Sequence, residues 1–135
     1  MTQKYINDLA YRIVGCAIEV HRHVGPGLLE SIYHACLLEE IRGCGLSVCS
    51  QLYLPVIYKG KDLGGKLKLD LLVENLIIVE LKAVEAMIPL YQAQLLSYLK
   101  LTEKPKGLLI NFNCVNIVKA MVPMVTEAFS KLPIS

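Results

Sequence analysis

A chain of 135 residues is long enough for one domain with a buried core and too short for two, so residues 1–135 are expected to form a single domain. Hydrophobic residues make up 54% and mean hydropathy is +0.47, greasy for a soluble monomer, so some apolar surface is expected to be covered in a homo-oligomer. A net charge of +2 excludes a strongly basic nucleic-acid coat, and five cysteines with no CxxC pair exclude a zinc ribbon or a disulfide framework.

Taken in order, the chain opens on Met1–Asp8, which lacks the apolar region of a secretion signal; a cytoplasmic location is expected. No run of about 18 uncharged apolar residues follows, so no membrane span is expected. Ile6, Leu9, Ala10, Ile13, Ala17 and Val20 recur at helical spacing and predict an amphipathic helix from Tyr5 to Arg22. His21 and His23 at its end are two apart, which points them different ways on a helix and makes a poor chelate. Gly25-Pro26-Gly27 breaks that helix. A second helix is expected from Leu29 to Arg42, stopped by Gly43 and Gly45, with Leu29, Ile32, Tyr33, Cys36, Leu37 and either Glu40 or Ile41 on its face. Glu30 falls in its first turn, where a carboxylate suits the helix dipole or can aim into a site.

Leu46–Tyr58 reads as a strand, with Pro55 marking an edge position or a bulge. Lys59–Gly65 reads as a turn, and Lys59, Lys61, Lys66 and Lys68 cluster around it as a solvated face or as phosphate contacts. From Leu67 to Lys82 two apolar runs flank Glu74-Asn75, the pattern of a β-hairpin. Asp70, Glu80 and Lys82 interrupt those runs. Charges in core strands are costly unless paired or bound to a metal, and two carboxylates with an ammonium on one hairpin are suited to a hard cation. Pro89 opens a third helix running to Leu101, on which Gln94 and Tyr98, four apart, are neighbours. Glu103–Gly107 is a loop, Leu108–Phe112 a buried strand, Val115–Met121 a last strand, and Val125–Lys131 a short helix. The order α-α-β-β-β-α-β-β implies a mixed central β-sheet flanked by helices, an α/β (α+β) architecture.

Asp-x9-Glu-x-Lys, at Asp70, Glu80 and Lys82, resembles the core motif of the PD-(D/E)XK nuclease superfamily. Gly27-Leu-Leu-Glu30-Ser-Ile-Tyr33, Gln94-Leu-Leu-Ser-Tyr98 and Gly107-Leu-Leu-Ile-Asn-Phe112 join it in order, and together these blocks resemble the GxxExxY family of that superfamily. The resemblance implies a restriction-endonuclease-like PD-(D/E)XK core and a metal-dependent nuclease acting on DNA or RNA. It implies that Asp70 and Glu80 coordinate Mg²⁺ or Mn²⁺ with the Leu81 backbone carbonyl. It implies that Lys82 orients the attacking water, that Glu30 reaches in as a third carboxylate, and that Gln94 and Tyr98 steady a water or phosphate. Lys68 stands where the family carries arginine, and Asn113–Met121 is less basic than the family's segment; both reduce the grip on phosphate. A non-catalytic binding or assembly module on the same fold is the alternative.

Hairpin parity adds a condition of its own. A two-residue turn at Glu74-Asn75 would set Asp70 opposite Val79 and put the Asp70 and Glu80 side chains on different faces. A shared cation needs a three-residue loop or a bulge beside Asp70, so an irregular hairpin is expected. Lys82 is expected to pair with Asp70, Glu80 or Glu30 when no metal is bound.

Overall fold

The computed structural model describes residues 1–135. Helix α1 spans Gln3–Val24, two residues longer at each end than the apolar spacing predicts. Thr2 Oγ1 accepts the Tyr5 N–H at 3.0 Å, and Gly25, at φ +68°, ends the helix by donating its N–H to the His21 carbonyl. Helix α2 spans Glu30–Gly43 and buries Tyr33, Leu37 and Ile41, a strict i, i+4, i+8 stripe. Leu29 and Ile32, expected on that face, are 71% and 41% exposed. Leu29 is the extended N-cap residue, outside the helical period, and Ile32 sits beside the stripe rather than on it.

Strands β1 (Val48–Tyr58) and β2 (Lys61–Val73) are joined by two residues, Lys59 and Gly60, both at positive φ. That turn matches the twist of the flanking strands, so Lys61 and Asp62, expected as loop, already pair with Tyr58 and Ile57. Pro55 behaves as predicted: β1 is the edge strand and its register shifts between Pro55 and Ile57. After β3 (Ile77–Lys82), α3 (Pro89–Thr102) crosses to β4 (Lys106–Asn111). The expected strand Val115–Met121 is instead a loop and a 3₁₀ turn, Val118–Ala120, in which Asn116 Oδ1 accepts the Lys119 N–H. The last strand, β5, is Met121–Val125; Pro123 is tolerated there because the strand lies at the other edge of the sheet. The expected tail helix shortens to the single turn α4, Glu127–Ser130.

The sheet order is β1-β2-β3-β4-β5, with β3 and β4 parallel and every other neighbour antiparallel. This is the mixed sheet flanked by helices that the element order implies. On one face, α1 and α2 pack on Leu71, Val73, Ile77, Val79, Leu81, Leu108, Ile110 and Phe112. On the other, α3 brings Leu95 and Leu99 against Leu69, Leu72, Ile78 and Leu109. No helix is long and apolar enough to cross a membrane.

Gly107 is the point of closest approach between α3 and the sheet. A Cβ built there would lie 3.0 Å from a methyl of each of Leu95 and Leu99. Gly107→Ala is therefore expected to lower stability by about 1–2 kcal/mol through overpacking, read as a lower urea midpoint at unchanged slope. An unshifted midpoint would mean that α3 can move away from the sheet at no cost.

Candidate active site

The Glu74–Leu76 loop decides the geometry of the hairpin. Val73 pairs with Ile77, Leu72 with Ile78 and Leu71 with Val79, so three residues form the loop and the register carries Asp70 opposite Glu80. Glu74 and Asn75 both take left-handed φ, +53° and +57°. The strain at Glu74 is offset by anchoring: its N–H donates to the Ser47 carbonyl at 2.8 Å, and its Oε2 accepts the Ser47 N–H at 2.6 Å.

The ladder of β2 with β3 stops at Leu71↔Val79. At the next position side chains replace it. Glu80 Oε1 accepts the Asp70 N–H at 3.2 Å, and Asp70 Oδ2 accepts the Leu81 N–H at 2.9 Å. The pairing of β2 with β1 is irregular at the same level, where Gln51 sits at φ +53° between the pairs Ser50↔Leu71 and Leu52↔Leu69. Leu69 and Leu71, which a regular strand would place on one face, fall into the two different cores. Breaks of this kind re-aim a side chain. Here the break lets Asp70 address both Glu80 and the cleft in front of α2.

Electrostatics follow from that placement. Glu80 is 6% exposed. Burial, then the charge of Asp70 and a hydrogen bond between the two carboxyl groups, push its pKa up to about 9. Lys82 opposes the shift without cancelling it. The carboxyl of Glu30 is raised by partial burial and by Asp70, with Lys82 and Lys68 pulling the other way. Burial raises the Tyr98 hydroxyl, helped by Glu80 and Asp70, while its hydrogen bond with Gln94 acts against the rise. Gln94 Nε2 donates to Tyr98 Oη at 3.2 Å. Glu30, Asp70, Glu80, Lys82, Gln94 and Tyr98 thus lie within one electrostatic neighbourhood, from two helices and a hairpin. Glu30 and Asp70 line the same polar cleft of about 290 Å³ with Ser31, His34, Gln51 and Lys68.

Two expectations need correcting. Lys82 makes no ion pair within 4.0 Å; its ammonium lies 4.4 Å from the centre of the Tyr91 ring. The half-buried lysine is held by the ring's negative face. Burial and Asp70 oppose the ionisation of Glu80, and Lys82 only partly offsets them. Nor do three acids close on one point: no three His, Cys, Asp or Glu side chains are grouped closely enough to hold a metal by themselves. Glu30 acts on Asp70 across the cleft rather than as a neighbour of Glu80.

Three residues that hold the site in place stand in the sequence only as members of the motif blocks, with no role of their own assigned. Buried Asn111 accepts the Val84 and Asn113 N–H groups and donates to the Val84 carbonyl, fixing the chain just past Lys82. The Phe112 N–H donates to the Lys82 carbonyl at 2.9 Å. The Phe112 ring stacks on Tyr33, 4.8 Å between centres. The Tyr33 hydroxyl donates to the Gly25 carbonyl at 2.6 Å and accepts the Leu28 N–H at 3.1 Å. The available signal was the spacing of Tyr33 from Glu30 and of Asn111-Phe112 from Gly107, but spacing does not reveal that the two blocks touch. Tyr33→Phe leaves a Leu28 N–H without its acceptor, and is expected to cost about 1–3 kcal/mol in chemical denaturation. A cost near zero would show that the loop before Glu30 does not depend on that hydroxyl.

No curated protein and no solved structure matches the chain significantly. A family model does, over residues 7–122, and it spans α2, the irregular hairpin, α3 and β4. With that match covering most of the sequence and the fold being a mixed five-stranded sheet between helices, the chain belongs to the PD-(D/E)XK nuclease superfamily.

Proposed function

We propose that this chain, as a single catalytic domain, is a Mg²⁺- or Mn²⁺-dependent nuclease that hydrolyses phosphodiester bonds of DNA or RNA. The observation that carries the reading is the Asp70–Glu80 pair: two carboxyl groups bridging a broken ladder, with no basic side chain in ion-pair contact. Such a pair is costly without a cation, and its oxygens are the donors a hard divalent ion takes. Mg²⁺ commonly binds through one or two carboxylates and keeps several waters, so the lack of a third clustered acid fits. Asp70 and Glu80, with the Leu81 carbonyl, would hold the ion, and Glu30 would reach it through water across the cleft. The ion would supply a hydroxide at neutral pH and offset charge building on the phosphate.

The protein's own groups account for the remaining steps. A bound cation would favour the ionised form of Glu80, which burial and Asp70 oppose in the free site. Lys82, steadied on Tyr91, places a positive charge beside the attacked phosphate. Gln94 and Tyr98 offer a donor and a hydroxyl where a water or phosphate oxygen would sit. The Gly27–Tyr33 and Gly107–Phe112 blocks support placing the chain in the GxxExxY group of the superfamily.

A second reading, a binding or assembly module that keeps the fold, is favoured by Lys82 resting on Tyr91 instead of a carboxylate. One pair of measurements separates them. Calorimetry is expected to detect Mn²⁺ binding to the protein and none to Asp70→Ala, and single- and double-stranded DNA and RNA are assayed for cleavage with Mg²⁺ or Mn²⁺. Cleavage that requires both the metal and Asp70 is the expected result; metal binding to neither protein, with no cleavage, would overturn the nuclease reading.

A further inference from the structure

The β1–β2 hairpin continues well past the site. β3 meets β2 only at Leu71–Val73, so residues 53–68 form a two-stranded arm with no third strand beside it. The two faces of the arm differ. Leu52 and Leu54 pack against the α3-side core. On the opposite face the register sets Tyr53 across from Lys68 and Pro55 across from Lys66, all in solvent. Tyr53 is 57% exposed although it is a large aromatic residue in the middle of a strand.

Charge is concentrated on this arm. Residues 53–68 carry four lysines, Lys59, Lys61, Lys66 and Lys68, against one acid, Asp62. The whole chain has 14 basic and 12 acidic residues, which leaves ten basic against eleven acidic elsewhere. The modest net charge of +2 therefore hides a basic arm on a near-neutral body. Lys68 also lines the cleft with Glu30 and Asp70, so the exposed face leads directly into the candidate site. Same-face residues on a strand repeat about every 6.8 Å, so Lys66 and Lys68 are spaced to meet successive groups of an extended chain.

Resting on the nuclease reading, we infer that this face of the arm is a track for a single nucleic-acid strand, with phosphates at Lys66 and Lys68 and a base stacked on Tyr53, delivering the strand to Asp70. A basic surface interleaved with an exposed ring is how sequence-tolerant single-strand binders work, since every base has a face to stack. A duplex keeps its bases stacked inside and has no use for Tyr53.

The test is fluorescence anisotropy in EDTA, where no cleavage can occur. Labelled oligothymidylate and oligouridylate of roughly 15 nucleotides are compared with a duplex of equal length. Wild type is expected to bind a single strand, of either sugar, more tightly than the duplex. Lys66→Gln with Lys68→Gln is expected to weaken that binding at least tenfold and to lower the slope of log K against log salt by about 1.4, near 0.7 per phosphate contact. Tyr53→Ala is expected to weaken single-strand binding about tenfold and leave duplex binding unchanged. These side chains are exposed, and circular dichroism confirms the fold of each variant. No single-strand binding by wild type, tighter binding of the duplex, or wild-type affinity in the variants would each overturn the arm proposal. If the strand binds through these residues and no metal supports cleavage, the arm stands and the nuclease reading falls. If cleavage occurs and the variants bind normally, the reverse holds.

Discussion

Asp70→Asn and Lys82→Ala are each expected to reduce metal-dependent cleavage by about 10³-fold while leaving the fold intact. The two substitutions act on different parts of the site. Asn at position 70 keeps an oxygen that can accept the Leu81 N–H, so the bridge across the broken ladder survives. What it loses is the negative charge, and with it the cation. Lys82 is half-buried at the end of β3 and rests on Tyr91, so its truncation removes a packed cation without opening the core. Mn²⁺ binding should therefore vanish in Asp70→Asn and persist in Lys82→Ala. Glu85→Gln, which changes an exposed carboxylate just beyond the strand, serves as the control and should cleave like the wild type. Equal loss of metal binding in both variants would show that Lys82 supports the site's structure rather than the reaction.

The metal-free protein should lose stability as pH rises from about 5 to about 9, and Glu80→Gln should remove most of the effect. Burial and Asp70 hold the folded Glu80 pKa near 9, above its ordinary value of 4.5. A raised folded pKa means that the native state binds the proton more tightly than the unfolded chain. The stabilisation is fully present below pH 4.5, where both states are protonated. It declines as the unfolded carboxyl ionises first, by at most about 1.4 kcal/mol per pH unit, and is exhausted once pH passes the folded value. Gln keeps an oxygen for the Asp70 N–H and never ionises, so the variant should lose most of this slope, the raised Glu30 carboxyl leaving a smaller remainder, and be more stable than wild type at pH 8. Metal binding carries the mirror image: Mn²⁺ must displace that proton, so its affinity should tighten by up to about tenfold per pH unit between pH 6 and 8. Urea midpoints at pH 5, 7 and 8.5, with calorimetry at matched pH, read both effects. A wild-type midpoint that does not fall with pH would place Glu80 in its charged form at neutrality.

Much of this protein is written locally. Helix and strand periods, the glycine and proline breaks and the alternation around Leu67–Lys82 determine which elements form and in what order. They determine it because side-chain period and backbone stops act over a few residues. The ordered carboxylates, Lys82 and the Gln94–Tyr98 pair likewise mark the candidate site, since buried charges in apolar strands stand out against their neighbours. Counting residues even exposed the parity problem at Glu74-Asn75, although counting alone left a loop and a bulge both open.

The tertiary structure decided the rest. A three-residue loop anchored to Ser47, together with a break at Gln51 and Asp70, brings the two carboxylates face to face, and the anchor lies in the connection between α2 and β1. Lys82 lies on Tyr91, not on an acid, because α3 delivers a ring to the end of β3. The upward push on the Glu80 pKa depends on how deeply the sheet is covered, which no local pattern encodes. The stack of Tyr33 on Phe112 and the clasp of Asn111 on Val84 join segments far apart in the chain. Contacts of that kind arise only when helices close over the sheet, because their energy comes from partners that the local sequence does not contain.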